Sequence, residues 1–201
     1  SNRKDYRDRV IFTVDGEDAR DFDDAISLTK EGDTYHLGVY IADVSHYVKE
    51  GSKLDAEAFK RGTSVYFPDH VLPMLPVELA NGICSLNPNE DRFVLAVEID
   101  LNSAGKILDY EIHKGIIKSK YRMTYTKVTK ILNKDEELSK EYSELVPILF
   151  EMQGLANILI TRRNNAGQLD FDIPEPQILL NDDGTVKDVI RKPREMSDRI
   201  I

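Results

Sequence analysis

Apolar positions along this chain fall into two periods, and the change from one to the other divides it into strands and helices. Phe93, Leu95, Val97, Ile99 and Leu101 recur at every second residue against Glu98 and Asp100, the pattern of a half-buried strand. Asn102-Ser103-Ala104-Gly105 turns the chain, and Lys106 to Lys118 returns as the partner strand. Arg9–Val14 and Ala25–Thr29 also read as strands. A glycine-containing turn at 30–34 leads into Tyr35–Ala42, an apolar run too continuous to keep one face in water.

The period lengthens to three or four at Leu138, Tyr142, Leu145, Leu149, Met152, Ala156 and Leu159, which predicts an amphipathic helix. Pro147 interrupts it, so the region holds either a kink or two helices with Pro147 in the first turn of the second. Asn164-Asn165-Ala166-Gly167 ends it. Ser52–Arg61 is a shorter helix, started by Ser52 with Asp55 and stopped by Gly62. Leu54, Ala58 and Phe59 form its expected apolar face. Thr63–Phe67 is β-prone as far as Pro68. Pro73 and Pro76 then break 71–79 into turns before a helical piece ending near Asn81-Gly82. Tyr121–Leu132 begins extended and turns helical from Thr126, and Gln177–Leu180 and Thr185–Arg191 are further strands. The pattern predicts one α+β domain, a mixed, mostly antiparallel sheet with helices packed against it.

Composition adds limits. With 201 residues, 41% hydrophobic and 31% charged, the chain can bury a full core and resembles ordinary globular proteins. The one cysteine, Cys84, excludes an internal disulfide, fits a reducing cytoplasm and reads as a small buried hydrophobe. No unbroken apolar run approaches the roughly 18 residues of a membrane span, so no membrane partner is expected. A net charge of −9 argues against a polyanionic partner. One stretch runs the other way. Lys114, Lys118, Lys120, Arg122, Lys127 and Lys130 follow one another without an acid between them, interleaved with Tyr121 and Tyr125. Such a stripe either tracks a nucleic-acid backbone or is a solvated strand face.

The densest chemistry lies in T-V-D-G-E-D-A-R-D-F-D-D-A-I, residues 13–26. Asp15, Asp21, Asp23 and Asp24 fall within ten residues, with Glu17 and Asp18 beside them. Like charges so close are tolerated only in water or around a cation. A strand would point Asp23 and Asp24 to opposite faces, and a helix would align Asp21 with Asp24 but not Asp23. All four converge only on an irregular loop, where Gly16 can take a positive φ. Hard oxygen donors, with no Cys or His at metal-binding spacing, favour Mg²⁺ or Mn²⁺ over Zn²⁺. A calcium-loop reading fails, because a start at Asp21 places Ile26 where glycine is required. Spacing alone leaves a metal site and a solvated acidic loop both open. Asp43 reads more naturally as a turn cap than as a catalytic group, and His36, His46, His70 and His113 take no role.

The same residues resemble the signature of the catalytic domain shared by ribonuclease II and ribonuclease R. The likeness continues through I-A-D-V-S-H-Y-V (41–48), R-G-T-S-V-Y-F-P (61–68), L-P-M-L-P (72–76) and C-S-L-N-P-N-E-D-R (84–92). It ends with Y-T-K-V (125–128) and G-Q-L-D-F-D-I-P-E (167–175). The E-D-A-R variant and G-T-S-V-Y-F-P bring it nearer to ribonuclease R. This resemblance implies an RNB-type fold and a hydrolytic, processive 3′→5′ exoribonuclease that uses two Mg²⁺, or Mn²⁺, and releases nucleoside 5′-monophosphates. It implies that Asp15, Asp21 and Asp24 hold metal, that Asp23, with Asp21, serves cleavage, and that Tyr66 and Phe171 clamp the last bases. Lys120 and Arg122, in the basic stripe, are the expected backbone contacts. Without the resemblance, Tyr66 and Phe171 would read equally as core.

The expected partner is the 3′ end of single-stranded RNA. In the resembled family the catalytic domain also carries an arginine motif and is flanked by cold-shock-type and S1-type RNA-binding domains. None of these is found in residues 1–201, so the chain is expected to be the N-terminal part of such a domain, with Ser1-Asn2 a candidate tag remnant. On its own it is expected to be weakly active at most and to self-associate. The alternative is a non-catalytic RNA- or protein-binding relative, which would be expected to lose some of the four aspartates.

Overall fold

The computed structural model describes residues 2–167 and 175–192, and Phe171 lies outside them. In chain order its elements begin with strands β1 (Lys4–Asp5), β2 (Phe12–Asp15), β3 (Asp24–Glu31) and β4 (Thr34–Ala42), then helices α1 (Val44–Tyr47) and α2 (Lys53–Arg61). A small hairpin of β5 (Val65–Tyr66) and β6 (Val71–Leu72) and a π-helical turn (Glu78–Ile83) come next. Two long strands, β7 (Asp91–Asn102) and β8 (Ile107–Lys118), and the short β9 (Tyr121–Thr124) lead into helices α3 (Tyr125–Leu132), α4 (Glu136–Glu141) and α5 (Leu145–Asn165). A separate hairpin, β10 (Glu175–Leu180) with β11 (Val186–Lys192), follows.

Seven strands form one sheet in the order β1-β8-β7-β4-β3-β2-β9. Its centre is antiparallel, with Val39 opposite Val97 and Val97 opposite Ile112. The two outermost pairs, β1–β8 and β2–β9, are parallel. The expected mixed, mostly antiparallel sheet is therefore present.

Alternation along the strands feeds two cores, one on each face. Phe12, Val14, Ile26, Leu28 and Tyr35 turn to one side and meet Val128 and Ile131 of α3 and Leu145, Leu149, Met152 and Leu155 of α5. Burying such a side chain stabilises the fold by about 1.5–3 kcal/mol each, so this face fixes the helices. Ile11, Ala25, Tyr40, Val94, Ala96 and Ile117 turn to the other side, around Tyr6, Phe22, Cys84 and Leu86.

Two expectations are corrected here. Val94 and Ala96 are wholly buried while Leu95 is 42% exposed, so β7 does not keep all its odd residues inside and its even residues in water. The even face is apolar at its first half and meets the N-terminal segment. Gly115 opposite Val94 lets the Tyr6 ring approach, since a Cβ there would lie 2.7 Å from it. Phe59 is 88% exposed and takes no part in the packing of α2, which buries Ala58 alone. The start of α2 does hold. The Ser52 hydroxyl accepts from the Asp55 N–H, and the Asp55 carboxylate accepts from the Gly51 N–H.

The Pro147 alternatives resolve into two helices. α4 ends at Glu141, and Pro147 is the third residue of α5, where its missing N–H costs nothing. By length and mean hydropathy α5 could cross a membrane, yet its apolar residues pack on the sheet.

Candidate active site

The acidic loop is built by the sheet. β2 ends at Asp15 and β3 begins at Asp24, so the loop 16–23 leaves and returns at one sheet end. Beside β2 runs β9 in parallel, with Arg122 opposite Thr13 and Thr124 opposite Asp15. Gly16 and Ala19 close a turn, the Ala19 N–H donating to the Gly16 carbonyl at 3.2 Å. At the far end the Asp23 carbonyl accepts from the Ala42 N–H and the Phe22 carbonyl from the Leu86 N–H, both at 2.9 Å. The loop is irregular, and Gly16 does not take a positive φ in it.

Its electrostatics are those of crowded carboxylates. Burial pushes the Asp15 carboxyl up to about 6, with added repulsion from Asp24 and Asp21, partly opposed by Thr13 and Arg122. Asp23 is raised by desolvation and then by the charges of Asp21 and Asp24, although solvent still reaches it. Asp24 is raised by desolvation alone. Glu17 goes the other way, held below its usual range chiefly by the Thr124 hydroxyl.

Buried side-chain polar atoms lacking a partner, among the described residues, are Thr13 Oγ1, Asp15 Oδ2 and Arg122 Nε. All three belong to the paired ends of β2 and β9. An orphaned carboxylate oxygen beside two further aspartates is the donor set a hard divalent cation takes, so the residues fit Mg²⁺ or Mn²⁺. Among the described residues, the set of three whose ligand atoms already lie within 4.8 Å of one another is elsewhere, at Glu98, Glu111 and His113. There Glu98 is already bound by Lys4 at 2.5 Å, Arg9 at 2.6 Å and Tyr6 at 2.8 Å, which leaves little negative charge for a metal. The loop aspartates stand further apart, as uncompensated like charges must.

The other candidates separate. Tyr66 is 64% exposed on the β5–β6 hairpin, so it is not a core residue, and its hydroxyl donates to Asp21 Oδ2 at 2.6 Å. That bond is the main reason its own pKa is pushed up to about 12. Lys120 reaches Glu144 at 3.2 Å on the surface. Arg122 is turned inward: one terminal nitrogen donates to the carbonyls of Gly16 at 2.8 Å and Glu17 at 2.6 Å. Lys127 donates to the Tyr142 hydroxyl at 2.7 Å. The basic stripe is thus partly spent on internal contacts. Asp43 is no cap. It is buried, accepts from Arg3 at 2.6 Å and from Ser45 at 2.7 Å, and makes no capping bond to α1. Arg3, 40 residues away, gave no local signal for this pair.

A sheet that presents clustered carboxylates on a loop between its strands defines a candidate acidic active site of the kind that handles phosphodiesters. Residues 3–201 match the RNB domain, and the chain belongs to that family. It is 48% identical over 201 residues to ribonuclease R of Thermotoga maritima, covering 99% of this chain and 28% of that protein. Among solved structures, Mycoplasma genitalium RNase R in complex with ribose methylated single-stranded RNA superposes with a TM-score of 0.89 at 29% identity. The match covers 100% of this chain and 31% of the other. The same protein in complex with double-stranded RNA gives 0.88 at 30% identity, covering 100% and 35%. The chain therefore spans about a third or less of the length of the first relatives it matches.

Proposed function

We propose that this chain provides the carboxylate half of the active site in a processive, hydrolytic 3′→5′ exoribonuclease that degrades RNA to nucleoside 5′-monophosphates in RNA decay and processing. The observation that carries this reading is the loop of four mutually repelling aspartates with a buried, unpartnered Asp15 oxygen. In this reading Asp15, Asp21 and Asp24 hold Mg²⁺, or Mn²⁺. A pair of such ions held there would supply an activated water and stabilisation of the leaving 3′-oxygen. Asp23, at the exposed rim of the loop, positions the attacking water and draws on its proton. Tyr66 lies beside Asp21 and offers an exposed ring on which a base can stack, worth about 1–3 kcal/mol and indifferent to sequence. Phe171 is its proposed partner.

The proposed substrate is the 3′ end of single-stranded RNA. Resemblance to a protein solved with both single- and double-stranded RNA supports this choice. A cytoplasmic setting, with cold-shock-type and S1-type domains completing the RNA path, belongs to the same proposal. The intact four aspartates weigh against the non-catalytic alternative. The test uses the full-length protein with a 5′-labelled oligo(U) and Mg²⁺. Stepwise shortening with release of nucleoside 5′-monophosphates is expected, and Asp23→Asn should abolish turnover while RNA remains bound. Binding without shortening by the wild type would instead identify an RNA-binding relative.

A further inference from the structure

We infer that Arg122 and Ser85 are positioning residues that clasp the acidic loop from its two sides and set the spacing of its metal-holding carboxylates. This rests on the metal reading above. Each end of the loop is already tied to strands, but between Asp15 and Asp24 repulsion among the aspartates works to spread it. Arg122 opposes that on the first half. Its terminal nitrogen reaches the carbonyls of Gly16, Glu17 and, at 3.5 Å, Ala19, and its guanidinium stands 5.4 Å over the Phe22 ring. Three carbonyls are thereby drawn toward one cation, which fixes the path of the backbone between the first aspartate and the rest. Charge-assisted bonds of this kind are roughly twice as strong as neutral ones.

Ser85 does the same on the second half. Its hydroxyl oxygen is fully buried, donates to the Arg20 carbonyl at 2.8 Å and accepts from the Phe22 N–H at 3.0 Å, bracketing Asp21. Ser85 is itself held, since Arg92 Nε donates to its carbonyl at 2.7 Å. The contacts of Ser85 Oγ and of the Arg122 nitrogen named here go to the loop backbone. Both act through the aspartates.

Charge and geometry make opposite forecasts for Arg122, which allows a clean test. A positive group near a cation site weakens it, so if charge alone mattered, removing it would strengthen metal binding. If the clasp matters, even Arg122→Lys should weaken binding, because a flexible ammonium stem lacks the planar guanidinium that lies over Phe22 and holds the donating nitrogen against the loop carbonyls. Mn²⁺ affinity is read by electron paramagnetic resonance on wild type, Arg122→Lys, Arg122→Met and Ser85→Ala. RNA affinity is read separately in EDTA, and amide exchange is followed over residues 16–23. The expected result is a 10- to 100-fold loss of Mn²⁺ affinity in all three variants, the usual range for outer supports of a metal site. Exchange in the loop should be at least tenfold faster.

Mn²⁺ affinity equal to or above wild type in Arg122→Lys overturns the proposal, as does lowered RNA affinity with Mn²⁺ binding intact. Should the Arg122 variants not fold, Ser85→Ala decides: wild-type Mn²⁺ affinity there overturns it. If the wild type itself binds no Mn²⁺, the metal reading fails. The clasp then stands or falls on loop exchange, and unchanged exchange in the variants refutes it.

Discussion

Replacing Asp15 by Asn should make the metal-free protein more stable while removing its response to metal. Asp15 ionises near 6 in the fold against an ordinary 3.8, so at neutral pH the folded state carries a charge it would rather not hold. The sign follows from linkage. Between 3.8 and 6 the folded state binds more protons than the unfolded one, so the Asp15 contribution to stability falls as pH rises and is fully unfavourable above 6. A difference of about two pH units corresponds to ~3 kcal/mol, which partial exposure of the side chain reduces to about 1–3 kcal/mol. Urea unfolding in EDTA should show Asp15→Asn more stable than wild type by that amount at pH 7, with the gap closing below pH 4. Saturating Mn²⁺ should reverse the order. A ligand at 1,000 times its Kd adds about 4.1 kcal/mol to the wild type alone. A variant less stable than wild type in EDTA at pH 7 would show that Asp15 has favourable partners in the metal-free fold and would refute the reasoning.

Further outcomes are expected elsewhere. Tyr66→Ala in the full-length protein should lengthen the limit digestion product by one or more nucleotides, because the ring beside Asp21 no longer grips a base; denaturing gels of digested oligo(A) check this, and an unchanged product would remove Tyr66 from the clamp. Glu98→Gln should cost on the order of 3 kcal/mol at pH 7: burial alone would raise the Glu98 carboxyl, yet hydrogen bonds from Lys4, Tyr6 and Arg9 hold it at about 2, against an ordinary 4.5. That contribution is complete above pH 4.5 and is lost as pH falls toward 2, so wild type and variant should converge in acid unfolding curves. Residues 1–201 alone should self-associate through the apolar face shared by Leu95, Tyr110 and Ile112. Sedimentation velocity should show that Tyr110→Lys with Ile112→Lys lowers this, and an unaltered distribution would place the contact elsewhere.

How much was legible in the sequence follows from how far each cause lies along the chain. The β7–β8 hairpin, the caps of α2 and the break before α5 depend on neighbours within a few residues, and periodicity and turn chemistry found them. Even so, counting only the odd residues of β7 missed the burial of Val94 and Ala96, because the partner that covers them, Tyr6, comes from nearly 90 residues earlier. Phe59 misled for the reverse reason: it sits at helical spacing, but no element of the described structure comes to cover it.

The candidate site divides in the same way. The aspartates lie within ten residues of one another, so their mutual repulsion, and the need for a cation or water to relieve it, can be argued from spacing alone. What holds them does not lie nearby. Ser85 meets the Phe22 N–H across 63 residues, and Arg122 meets the Gly16 carbonyl across 106. In the sequence Arg122 is one cation in a basic stripe, which is why it reads as a contact for RNA. Only the parallel placement of β9 beside β2 sets it opposite Thr13 and turns its guanidinium onto the loop. The carboxylates are thus a local property of the chain, and their spacing is a property of the sheet order. A substitution that shifts the register of β9 against β2 should therefore disturb metal binding without touching any aspartate.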